Sequence, residues 1–242
     1  MERHTRRRWA VLLLAALLAV LPPSALLRYE ALQADAPAGL PEQKLIALTF
    51  DDGPRRSTTT RLLDGLAERG VKATFFLIGC QIADNEDVVR RMDREGHQIG
   101  IHTFDHVQLT GLNQADFDAQ VGVTRTLLKD LVGHNDFLLR PPYGKCDEGV
   151  KNKAGCPIIL WSIDPEDWDD KNTSRVVEQV VSEARDGGII LLHDIYPESV
   201  DAALQIVDRL HAQGYYFCTI DQLFAAQGLS LNPGEVYWNA YP

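Results

Sequence analysis

Leu45-Ile46-Ala47-Leu48-Thr49-Phe50 is a short, apolar, β-prone run, and Asp51-Asp52-Gly53-Pro54 follows it at once. Similar runs recur at residues 73–78, 98–101, 137–139, 158–161, 189–192 and 216–219. Helical patterns alternate with them, near 58–68, 86–95, 114–131, 148–154, 174–184, 200–213 and 221–226. Several are preceded by polar caps and closed by glycine, as at Gly70, Gly96 and Gly214. Seven strand-helix units with near-continuous apolar strands predict an α/β fold with a parallel sheet covered by helices, either a barrel or an open doubly wound sheet. The polar residues follow the strands. Asp51 and Asp52 come after the first run, His102 after the third, Arg140 after the fourth, Asp164 and Asp167 after the fifth, and His193 and Asp194 after the sixth. In a parallel barrel those strand ends share one face, the face on which active sites are built.

Length and composition bound the rest. With 242 residues and 45% hydrophobic content, one domain with a substantial core is expected, spanning 43–228 and followed by a C-terminal tail at 229–242. Residues 1–8 are basic, and 9–27 run without charge, which reads as a signal peptide or an N-terminal membrane anchor. Ala34-Asp35-Ala36 offers a cleavage pattern far from the apolar core, so retention as an anchor is favoured; Arg6-Arg7 faintly resembles a twin-arginine signal. The basic flank predicts that everything after Leu27 is exported, and 28–42 reads as a linker. The net charge is −10; residues 1–27 contribute +3, leaving −13 for the exported part, which argues against a nucleic-acid partner. Four cysteines, Cys80, Cys146, Cys156 and Cys218, invite disulfides in an exported chain, with three full pairings open. Cys146 and Cys156 are the tempting pair, but a helix at 148–154 would carry them beyond disulfide reach.

Taken singly, each polar cluster has a plain structural explanation. Asp-Asp-Gly-Pro suits a turn, His102 and His106 can be ordinary hydrogen-bonded histidines, and Arg140-Pro141-Pro142-Tyr143-Gly144 can be a rigid loop. Together they do more. Two imidazoles four residues apart plus a distant carboxylate make a three-ligand metal site with open positions, and the other aspartate of the 51–52 pair is left for acid/base work. Trp168 can wall a sugar-binding surface, and Asp167 can partner His193.

In this order the motifs resemble those of the NodB-type polysaccharide deacetylases, the family-four carbohydrate esterases, over roughly residues 45–223. They are Thr-Phe-Asp-Asp-Gly-Pro at 49–54, His-Thr-Phe-Asp-His at 102–106, Arg-Pro-Pro-Tyr-Gly at 140–144, Asp-Pro-Glu-Asp-Trp at 164–168 and Leu-Leu-His-Asp at 191–194. The resemblance implies a distorted (β/α)7 barrel. It implies Asp51 as general base, His193 as general acid, Arg140 orienting Asp51 and Asp167 tuning His193. It also implies Asp52, His102 and His106 as ligands of one divalent metal, usually zinc, with cobalt, manganese or iron as other candidates. Tyr143 would give its backbone N–H to an oxyanion hole, and Trp168 and Leu191 would line the pocket for the acetyl methyl group. No metal or catalytic position departs from the pattern, though Cys146, close after the third motif, is unusual.

The implied reaction is hydrolysis of an N-acetyl group to acetate and a free amino sugar. An exported chain points first to N-acetylglucosamine of peptidoglycan, then to chitin oligomers, then to acetylated xylan. A non-catalytic glycan-binding protein is a rival, marked by binding without acetate release. An iron oxygenase using two histidines and a carboxylate is another, but it leaves Asp51, Arg140 and His193 without a purpose.

Overall fold

The computed structural model describes residues 44–242. The expected export segment and linker, 1–27 and 28–42, lie outside them. Among the described residues no helix is long and apolar enough to cross a membrane.

The first strand, β1 (Lys44–Asp51), organises the sheet. It pairs with β2 (Thr74–Leu77), β6 (Gly188–His193) and β7 (Tyr215–Cys218), every pairing parallel. β7 takes the first half of one edge and β2 the second. The sheet continues from β2 through β3 (Gln98–Ile101), β4 (Leu138–Leu139) and β5 (Ile158–Ile159) to β8 (Val236–Tyr237). The open side between β5 and β6 is spanned by an isolated parallel bridge, Ile163 with Ile190, beside hydrogen bonds between Ser162 and Ile189. This is the curled, distorted barrel that the resemblance implies, one of the two arrangements the alternation leaves open.

Strand periodicity explains both cores. Ile46, Leu48 and Phe50 on β1 alternate with Ala47; the first three join the large cluster under the helices, while Ala47 joins Phe76, Leu138, Ile159, Ile189 and Phe224 in a second, inner cluster. Thr49 and Asp51 continue the inner parity of Ala47 toward the carboxyl end, which brings polar side chains into the barrel at that rim. Gly100 is inner too, because any side chain there would collide with the Phe76 ring.

The helices are α1 (Arg56–Glu68), α2 (Gly79–Ile82), α3 (Glu86–Arg94), α4 (Gln114–Phe117), α5 (Val123–Val132), α6 (Glu148–Ala154), α7 (Thr173–Glu183), α8 (Pro197–Ala212) and α9 (Ile220–Ala226). Side-chain caps start four of them: Asn113, Asp147, Asn172 and Thr219, the last in a reciprocal pair with Gln222. Two features depart from the sequence reading. The expected single helix at 114–131 is interrupted by a wide π turn at Asp118–Gly122, and the short α2 follows β2, where no apolar periodicity is long enough to announce it.

The segment read as a C-terminal tail also belongs to the sheet. β8 lies within it, Ile158 and Leu160 donate to the carbonyls of Glu235 and Tyr237, and Ala240 donates to Gly187. All four cysteines are free, so none of the possible disulfides forms. Cys156 is buried in the outer cluster and Cys218 in the inner one, and α6 separates Cys146 from Cys156 as its length requires.

Candidate active site and metal centre

Asp52, one residue past β1, and the loop after β3 bring three ligand atoms together. Asp52, His102 and His106 each offer one atom, all within 4.8 Å of one another. The Nε2 atoms of His102 and His106 stand 3.5 and 3.4 Å from Asp52 Oδ1, which is buried and has no hydrogen-bond partner. Such an orphaned carboxylate oxygen facing two imidazole nitrogens suits a cation. His102 Nδ1 lies 2.7 Å from the Arg140 carbonyl oxygen. A carbonyl can only accept, so Nδ1 carries the proton and Nε2 presents its lone pair to the cluster. Burial lowers the His102 pKa, against the opposing charges of Asp51 and Asp52, and favours the neutral, ligating imidazole.

The backbone here is strained. Asp52, Thr103, His106 and Tyr143 have φ of 72°, 68°, 62° and 61°. Non-glycine residues in that region cost about 1–3 kcal/mol each and persist where the surroundings over-determine them. Gly53 shows how tight those surroundings are: a Cβ there would strike the Asp194 carboxylate.

Asp51, the last residue of β1, is buried beside the cluster, its Oδ2 3.7 Å from His102 Nε2. Its Oδ1 accepts from Arg140 at 2.8 Å. The guanidinium is wholly buried and also donates to Thr49 Oγ1 at 2.7 Å and to the carbonyls of Ile159 and Leu160, both at 3.0 Å. It also stacks 4.1 Å from the Phe76 ring and 5.6 Å from that of Trp161. Burial pulls its pKa down, while the charge and hydrogen bond of Asp51 pull it back up.

His193 ends β6 in register with Asp51 across the ladder. Its Nδ1 is 2.7 Å from Asp167 Oδ1, and its backbone N–H donates to Asp167 Oδ2 at 2.9 Å. Burial disfavours the charged imidazole, but the hydrogen bond and charge of Asp167, aided by Asp51 and Asp52, outweigh it and push the pKa up to about 9.

The remaining candidates sit around these groups. Leu191 is buried on β6 opposite Thr49. The Tyr143 ring meets His106 edge-on at 4.9 Å, and Tyr143 and Trp168 are exposed.

Comparison with known proteins gives this geometry its context. A family model described as polysaccharide deacetylase matches residues 38–156. The peptidoglycan-N-acetylglucosamine deacetylase PgdA of Listeria monocytogenes is 41% identical over 196 residues, 81% of this chain and 41% of that protein. The peptidoglycan-N-acetylmuramic acid deacetylase PdaC of Bacillus subtilis is 40% identical over 183 residues, 76% of this chain and 39% of that protein. A solved structure described as T48 deacetylase with substrate superposes with a TM-score of 0.77 at 40% identity, covering 81% of this chain and 96% of the other. The chain belongs to the polysaccharide deacetylase family. It spans about two fifths of the length of the two curated relatives.

The deacetylase family model ends before Asp167 and His193, so the fourth and fifth motifs lie beyond it in sequence. The fold joins them to the first three through the β1 and β6 ladder.

Three neighbours of the site had no role assigned from the sequence. Thr49 receives Arg140 and donates to Ile190 O at 2.6 Å; its inner parity, two residues before Asp51, is a signal that could have found it. Asp194 is buried with Oδ2 accepting from the Thr59 hydroxyl and Oδ1 unpaired, and burial pushes its pKa up to about 7. Gln120 reaches the histidine loop from the π turn, and no local pattern marks it.

Proposed function

We propose that this protein is a divalent-metal-dependent hydrolase that removes N-acetyl groups from N-acetylglucosamine residues of a cell-envelope polysaccharide, with peptidoglycan as its substrate. The observation that carries this is a single rim on which Asp51 borders the Asp52, His102 and His106 cluster on one side and His193 on the other. The peptidoglycan deacetylases of similar sequence support the substrate class.

Two imidazoles and a carboxylate are a donor set suited to zinc, and cobalt, manganese and iron share it. When bound, the cation supplies Lewis acidity toward the acetamide carbonyl and lowers the pKa of water. Asp51 then acts as the base: Arg140 holds Oδ1, which leaves Oδ2, on the cluster side, to take the proton of the attacking water. The Tyr143 backbone N–H is assigned to the carbonyl oxygen as charge develops there. His193, held through Nδ1 by Asp167, keeps Nε2–H as its free end and gives that proton to the departing amine, which is a poor leaving group otherwise. Leu191 and Trp168 wall the acetyl methyl site. The localisation that goes with this reading is the cell envelope, with residues 9–27 as signal or anchor.

Acetate release by the full chain, measured in parallel on peptidoglycan, chitin oligomers and acetylxylan with and without chelator, tests the reading. Chelator-sensitive release greatest on peptidoglycan is expected. Asp51→Asn and His193→Ala should each lose about 10²–10⁴-fold in turnover while still binding zinc. Glycan binding without acetate release, or unchanged turnover in either variant, would overturn it.

A further inference from the structure

We infer that Gln120 is a positioning residue for the metal cluster, tying down the loop that carries both histidine ligands. The inference rests on the reading of Asp52, His102 and His106 as metal ligands. Between His102 and His106 the backbone is strained at Thr103 and at His106 itself, so that loop holds its shape only through its attachments. Its carbonyls face α2: Gly79 N–H donates to Thr103 O at 2.9 Å and Cys80 N–H to Phe104 O at 2.8 Å. Its amides face the other way. Phe104 and Asp105 N–H both converge on Gln120 Oε1, at 3.0 and 3.3 Å.

Gln120 lies inside the π turn, where Val123 N–H reaches back to Asp118 O. Such wide turns inside helices are commonly found at functional sites. The turn is anchored to the same spot: Thr124 donates to Gln120 O at 2.8 Å, and a Cβ at Gly79 would strike both the Thr124 hydroxyl and the Phe104 ring. The first residue of α2, the histidine loop and the wide turn are therefore packed in contact. A side-chain carbonyl oxygen with two lone pairs is what two adjacent amides require, and leucine at 120 cannot supply it. Partners that orient ligands in this indirect way commonly change metal affinity by about 10–100-fold when removed.

The test uses the full chain stripped with chelator and titrated with zinc against a chromophoric competitor. Gln120→Leu should weaken zinc binding by about 10–100-fold with the melting temperature of the metal-free protein nearly unchanged. Gln120→Glu, which keeps the acceptor oxygen, should stay within about threefold of wild type. In metal-free wild type, the Phe104 and Asp105 amides should exchange with solvent slowly, a readout that needs no variant to fold. Wild-type zinc affinity in Gln120→Leu overturns the inference. So does fast exchange at both amides, or a parallel loss of affinity and melting temperature that Gln120→Glu does not rescue. Failure of the underlying metal reading looks different, because wild type itself would then bind no zinc.

Discussion

Arg140 and His193 illustrate how one buried pair can be set against another within a few ångströms. Arg140 is wholly buried and commits four of its five N–H groups to Asp51, Thr49 and two carbonyls, so its work is to aim Asp51 rather than to touch substrate. Arg140→Lys therefore should not be conservative, because a point charge cannot reproduce the fork or the stacking on Phe76. Turnover should fall by at least about tenfold with zinc affinity kept, measured by acetate release and zinc titration. His193 carries the opposite duty. As a proton donor it must be charged, so kcat/KM should fall as pH rises through its pKa, which stands at about 9. A cation at Asp52 offsets the help from Asp51 and Asp52, placing the limb of the loaded enzyme at or below that value. Asp167→Asn removes the charge that raises the pKa, and the limb of the pH-rate profile should move to lower pH. A limb that stays in place would deny Asp167 this role.

At the scale of elements, His97 ties the start of β3 to the segment before β2. Its Nδ1 accepts from Ala73 N–H at 3.1 Å, so the proton sits on Nε2, which is buried without a hydrogen-bond partner. Burial, reinforced by Lys72 and Arg91, lowers its pKa to about 3. The folded state thus binds its proton less readily than the unfolded chain. Its contribution is fully present above the ordinary histidine pKa of about 6.5 and is lost as pH falls from there toward 3. Each unit of that difference is worth about 1.4 kcal/mol. His97→Asn, whose amide oxygen can still accept from Ala73, should lower the melting temperature at pH 7 yet lose less between pH 6.5 and 4 than wild type. Equal losses in a pH series of thermal melts would remove His97 as the cause.

For the whole molecule, closure is the weak point of a barrel whose last strands are two residues long. β5 leaves its ladder after Ile159, and the chain crosses to β6 through one isolated bridge, Ile163 with Ile190, and a few hydrogen bonds around it. The C-terminal segment fills the remaining edge through amides of Ile158, Leu160 and Ala240, and Ala240 is buried in the inner cluster. Three such bonds at about 1 kcal/mol each correspond to roughly 6–12 °C in melting temperature for a domain of this size. Deleting residues 229–242 should cost at least that much, by calorimetry. An unchanged melting temperature would show that the barrel closes without it.

Strand and helix order was legible because it depends on apolar spacing alone, and the strand at 98–101 and the helix at 148–154 fall where that spacing puts them. The candidate site residues were legible for a related reason: polar groups placed directly after apolar strands have few other uses, and five motifs in order narrow the chemistry further. Local pattern could not show that the 229–242 segment would pair with β5, since its strand is two residues long and takes meaning only from the edge it covers. Nor could it show Gln120 reaching the histidine loop from 15 residues away, or Cys156 and Cys218 settling in separate cores. Covalent order determines which faces are apolar and which residues end strands, because those depend on neighbours one to four positions away. Which polar atoms meet at the rim, and which are left without partners there, was decided by packing between elements that share no local sequence.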